Sequence, residues 1–103
     1  MGANLTGANL GGASLAHTNL SAAILSGVSA PGAVFFSTNL SHVDLTQSNL
    51  STALFIETDL RSANLTGSLV EGLVDRRTFK CGTIWADGSL NNSSCQVVAL
   101  DGS

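Results

Sequence analysis

From Leu5 to Val70 every fifth residue is apolar, and the residue two places before each is small or β-branched. The fourteen central positions hold ten Leu, two Phe, Ala30 and Val70, and the positions two before them hold seven Ala, three Thr, two Ser and two Val. A period of five matches neither the 3.6 of a helix nor the 2 of a flat strand. It requires a chain that turns a corner every five residues and coils on itself, so the chain is built from repeats.

A second period sets the size of the coil. Thr18, Thr38, Thr58 and Thr78 are spaced by twenty, as are Ala13, Ala33 and Ala53, and Phe35 and Phe55. Four pentads per coil place each set in one vertical column, with like side chains stacked as in other strand ladders. Successive coils then lie ~4.8 Å apart. The central residues and the small residues point inward, and the other three of each pentad point outward.

These residues carry a resemblance. Ala3-Asn4-Leu5-Thr6-Gly7, Ala8-Asn9-Leu10-Gly11-Gly12, Thr58-Asp59-Leu60-Arg61-Ser62 and Ala63-Asn64-Leu65-Thr66-Gly67 match the A-(D/N)-L-x-x unit of the pentapeptide-repeat family. The resemblance implies an all-β fold, a right-handed quadrilateral β-helix of about 3.5 coils. It divides the chain into a β-helix over 3–75 and a C-terminal capping segment over 76–103. Ala30 at a central position followed by Pro31 departs from the pattern, and a bulge or loosened corner is expected over 29–32.

Beyond Gly72 the pattern fades. Asp75 and Lys80 occupy central positions that should be apolar, so the coil is expected to end between Asp75 and Cys81. Thr83-Ile84-Trp85, then Ala86-Asp87-Gly88-Ser89 and Leu90, reads as a hairpin, with Trp85 as the lid over the open end of the core. Cys81 and Cys95 are the two cysteines of the chain. A disulfide is favoured over zinc, for which two Cys and two distant His supply too few ligands. The tail resembles the T-F-x-C-x-T…D-G-S…C endings of some pentapeptide-repeat proteins, which implies a structural cap. The bridge would place the protein in the periplasm, a plastid lumen or the extracellular space, and its absence in the cytoplasm.

Charged residues make up 11% of the chain and the net charge is −3, which gives no basic stripe for nucleic acid. No apolar run is long enough to span a membrane. Met1-Gly2 leads straight into the first pentad and shows no signal peptide. An uncapped N-terminal coil invites end-to-end self-association, or an upstream continuation of the chain.

Candidate chemistry is sparse. Ser41, His42 and Asp44 have the side chains of a hydrolytic triad but no cleft is implied, and His17 with His42 is too small a set for a metal. No cofactor motif is visible. Asn4, Asn19, Asn39, Asn49 and Asn64 form glycosylation sequons, yet the repeat itself generates them, and their side chains are expected to bond turn backbone. Met1-Gly2-Ala3-Asn4-Leu5-Thr6 matches a myristoylation pattern for the same reason. Glu57 and Arg77 should be vertical neighbours in one column with His17 and Ser37. Arg76, Arg77 and Lys80 read as a solvated basic face.

The outward break in polarity is at Val34, Phe36, Leu54 and Ile56, with Val74 as an extension. All lie on one wall, so they make a contiguous external apolar patch. Its cover is either the C-terminal tail, through Val97, Val98 and Leu100, or a partner protein or second copy. The expected function is a non-catalytic structural or protein-interaction module. The alternative implied by the resemblance is a DNA mimic that binds gyrase. Asp44, Glu57, Asp59 and Glu71 against Arg61 in the repeat are few charges for imitating a duplex with one charge per ~1.7 Å.

Overall fold

A computed structural model of the protein describes residues 3–93 and residue 95. Every parallel pairing joins residues twenty apart. Bridges run from Asn4 to Ile24 and on to Asp44, Asn64 and Ile84, and from Asn19 to Asn39, Asp59 and Phe79. On one wall the bridges widen into strands β1 (Val34–Phe36), β2 (Leu54–Ile56) and β3 (Val74–Arg76), in the sheet order β1-β2-β3. Twenty residues, or four pentads, therefore separate each level of the ladder from the next.

Each pentad supplies the same local parts. The central N–H bonds across to the next level, as from Leu25 N to Asp44 O at 2.7 Å, and the N–H just before it bonds back, as from Ile24 N to Ala3 O at 2.7 Å. The last residue of the pentad has positive φ, and nine such positions from His17 to Arg77 are not Gly. Left-handed backbone costs an L-residue about 1–2 kcal/mol. The compensation is that these N–H groups also bond across levels, as from His42 N to Arg61 O at 2.9 Å. At most corners the first N–H of the next pentad closes the turn onto the central carbonyl, as from Ala23 N to Leu20 O at 3.0 Å. Where Asn or Asp precedes the centre, its side chain accepts from the remaining N–H, just after the centre. Asn64 Oδ1 accepts from Thr66 N at 3.0 Å and from Thr66 Oγ1 at 2.6 Å. This is the role expected of the sequon asparagines.

Pro31 leaves the ladder intact, contrary to the expected bulge. It occupies a corner position whose N–H makes no cross-level bond at the equivalent corners of the other walls, so its missing donor costs no ladder bond. Ala30 N bonds Asn49 O at 2.8 Å, Gly32 N bonds Ser51 O at 2.9 Å, and Ala33 N closes the turn on Ala30 O at 3.2 Å. Pro then Gly at the two middle positions of a turn is a favoured combination.

The core is a single column of buried side chains that includes Leu25, Leu40, Leu45, Leu50, Leu60 and Leu65. Phe35 and Phe55 stack edge to face with centroids 5.0 Å apart, a geometry worth about 0.5–1.5 kcal/mol beyond burial. The twenty-residue threonine column has its own task. At the corner after the Phe wall, a hydroxyl one level up bonds the central carbonyl. Thr38 Oγ1 donates to Leu15 O at 2.7 Å and Thr58 Oγ1 to Phe35 O at 2.5 Å. Among the described residues no buried side-chain N or O lacks a hydrogen-bond partner.

The ladder also runs past its expected stop. Asp59 pairs with Phe79 and Asn64 with Ile84, in register beyond Asp75 and Cys81. The two charged central residues are tolerated because they pair with each other. Lys80 Nζ donates to Asp75 Oδ2, and the ammonium lies 4.6 Å from the Trp85 ring centroid. Strands β4 (Thr83–Ile84) and β5 (Leu90–Asn91) then form the expected antiparallel hairpin, and Trp85 packs on the end of the core.

Replacing Thr58 with Val keeps the shape but removes the hydroxyl that donates to the Phe35 carbonyl. Denaturant unfolding should show a loss of about 0.5–1.5 kcal/mol. Thr18→Val should lose less, because Thr18 bonds only the local Ala16 carbonyl at 3.2 Å.

Candidate functional site

The β1-β2-β3 wall turns Val34, Leu54 and Val74 outward in one column and Phe36, Ile56 and Arg76 in the next. Inward and outward residues alternate along each strand, so Phe35 and Phe55 enter the core while their neighbours face out. Val34, Phe36, Leu54 and Ile56 are half-buried against one another, and Val74 is 38% exposed. The four sequence-selected patch residues are thus brought together on adjacent levels. The matching columns of the other walls hold mainly Asn, Asp and Ser. Ile24, Leu69 and Phe79 are exposed apolar residues on those walls, but each stands singly, and single exposures are ordinary. Val97, Val98 and Leu100, offered as cover for the wall, lie outside the described residues.

The corner column beside the wall is charged and linked. Ser37 Oγ donates to Glu57 Oε1 at 3.1 Å, and Arg77 Nη2 pairs with Glu57 Oε2 at 3.3 Å. His17 stands at the bottom of the column with its ring edge-on to Phe36, 5.5 Å between centroids. The Arg76, Arg77 and Lys80 set does not form one basic face. Arg77 turns to Glu57, Lys80 points inward to Asp75, and Arg76 ends the wall.

Elsewhere polar groups serve the repeat. Ser41 Oγ bonds Asn39 Oδ1 at 2.7 Å and Asp44 Oδ1 accepts from Thr46 N and Oγ1, so Ser41, His42 and Asp44 do not converge on a reacting atom. Asp59 is held by Arg61, which donates from Nε to Oδ1 at 2.9 Å and from Nη2 to Oδ2 at 2.7 Å. The Arg61 hydrogen bond keeps the Asp59 carboxyl below its ordinary range, and partial burial opposes the effect. Among the described residues no group of three or more His, Cys, Asp or Glu could hold a metal, and no helix is long and apolar enough to cross a membrane.

The far end of the core opens into a cavity of about 360 Å³ lined by Val70, Leu73, Asp75, Lys80, Trp85 and others. Cys81 and Cys95 form a disulfide across this end, with Cα atoms 5.0 Å apart. The bridge encloses the β4–β5 hairpin, and Asn92 Oδ1 ties it to the coil by accepting from Gly82 N at 2.7 Å.

Comparison with known proteins agrees with the ladder. The sequence profile described as Pentapeptide repeats (8 copies) matches residues 1–35 and 33–72. No curated protein matches the chain. Among solved structures, the chain is similar to HetL, a pentapeptide repeat protein involved in heterocyst differentiation regulation from the cyanobacterium Nostoc sp. strain PCC 7120. The identity is 29% and the TM-score 0.53, over 85% of this chain and 43% of HetL. The chain thus spans less than half of HetL's length. A pentapeptide repeat protein from the Arabidopsis thaliana thylakoid lumen is 24% identical with a TM-score of 0.34, over 97% of this chain and 75% of its own. Rfr23 from the cyanobacterium Cyanothece 51142 is 25% identical with a TM-score of 0.35, over 75% of this chain and 87% of its own.

Two measurements test the ion pair and the bridge. Asp59→Asn keeps the turn acceptor but loses the pair. Because the folded-state carboxyl is the stronger acid, the stability gap to wild type should be full above about pH 4 and close as pH falls through the lowered value. Opening the bridge with Cys81→Ser/Cys95→Ser should lower the unfolding free energy by up to about 3 kcal/mol, read by denaturant titration of Trp85 fluorescence.

Proposed function

We propose that this chain, which belongs to the pentapeptide-repeat family, is a non-catalytic interaction module that presents Val34, Phe36, Leu54 and Ile56 to a protein surface. Its scaffold is read as a right-handed quadrilateral β-helix whose ladder reaches Ile84, closed by the β4–β5 hairpin as a cap. One observation carries the functional reading: the apolar residues are contiguous across ladder levels on a wall that the repeat would otherwise fill with Asn, Asp and Ser. A contiguous apolar patch on a polar rod marks a binding surface. HetL is involved in regulation of differentiation, a role of the kind that recognition supplies. The disulfide favours work in an oxidising compartment, whether periplasm, plastid lumen or extracellular space.

The gyrase-binding reading has no support. Of the four outward carboxylates Asp44, Glu57, Asp59 and Glu71, Asp59 is neutralised by Arg61 and Glu57 by Arg77. The surface therefore lacks the unbroken negative charge that a DNA mimic needs.

The test is affinity capture from source-organism extract with wild type and with Phe36→Ser/Ile56→Ser. Both proteins should melt cooperatively with circular dichroism of the same shape. Identified, reproducible partners retained by wild type and lost by the variant are expected. Equal binding by both would remove the wall from the account.

A further inference from the structure

We propose that the β1-β2-β3 wall pairs with the same wall of a second copy of this chain, the two rods lying antiparallel face to face. The inference rests on the reading of this wall as a binding surface and adds the identity of the partner.

Two properties of the wall select a second copy. The first is its taper. The lowest level presents the short side chains of Ser14 and Ala16, the middle levels present Val34 with Phe36 and Leu54 with Ile56, and the top presents Val74 with Arg76. A two-fold axis lying in the interface, across the rods and between the β1 and β2 levels, sets each level against its counterpart from the other end. Phe36 then faces the partner's Ile56, Val34 faces the partner's Leu54, and the long Arg76 lies over the partner's Ala16. The thin end of one wall fills against the thick end of the other, which is the self-complementarity a two-fold interface requires.

The second property is charge. Arg76 ends the top of the wall, and Arg77 beside it is paired with Glu57. A parallel pairing brings the two Arg76 side chains to one end, where like charges oppose each other. The antiparallel pairing sends them to opposite ends and sets Glu57 beside the partner's Ser37. The flank before the wall is low, with Gly12, Gly32 and Gly72 at three of its corners and the short Thr52 at the fourth.

The experiment combines oligomer mass with directed cross-linking of the 103-residue chain. Sedimentation equilibrium should give twice the monomer mass for wild type and the monomer mass for Ile56→Asp. Ala16 and Arg76 lie three levels apart, roughly 14 Å at the ladder spacing. A mixture of Ala16→Cys and Arg76→Cys chains should therefore form a mixed disulfide dimer under mild oxidation, at least tenfold more than either variant alone. A dimer that cross-links only within one variant overturns the antiparallel register. A monomer at every concentration overturns the proposal, and it is also the result that cover by segment 96–103 or by a different protein would give. In that case a partner captured by wild type and lost in Phe36→Ser/Ile56→Ser leaves the interaction reading standing, so the two claims fail separately.

Discussion

The hydrogen bonds between residues twenty apart are the constraint on which this structure depends. Among the described residues the strands are three residues long at most, too short to stand alone, and each pentad is held only because its backbone groups meet those of the neighbouring levels. The ladder also explains why nine non-glycine residues accept left-handed backbone. Leaving that conformation would break a cross-level bond at the same residue. Stability in such a stack is a sum of nearest-neighbour terms, so a change on one level weakens its two interfaces and little else.

One wall differs from the others, and its peculiarities have a common origin. Phe35 and Phe55 occupy the core there, the bridges widen into strands, and the corner that follows relies on threonine hydroxyls to bond the central carbonyls. The same strands carry the apolar outward residues. Outward Val, Leu, Phe and Ile suit extended, half-buried positions and have no side-chain oxygen with which to cap a turn as Asn does. The wall thus gives up turn-capping for an apolar outward surface, and the threonine hydroxyls donate to its central carbonyls from within.

Much of this was legible in the sequence because the pattern and the geometry share their periods. The five-residue register located the inward residues, and the twenty-residue register placed Glu57 beside Arg77 and aligned Val34 with Leu54. Two expectations about the ladder failed for want of local detail. Pro31 reads as disruptive because the sequence does not reveal which N–H groups lie off the ladder. Asp75 and Lys80 resemble a terminus because the sequence does not show that two consecutive central charges meet. In the fold they are consecutive inward residues on the last level, close enough to pair, with Trp85 beside them. The threonine column was visible as a repeat, but its purpose depends on a carbonyl twenty-three residues earlier, which no local pattern indicates.

The central claim is the twenty-residue ladder itself, and a nuclear Overhauser survey of the backbone tests it most directly. Close inter-residue proton contacts should link Asn39 with Asp59, Asp44 with Asn64, and Phe55 with Asp75, each pair twenty apart. Contacts that fall instead at spacings of fifteen or twenty-five, or only between sequence neighbours, would contradict the account.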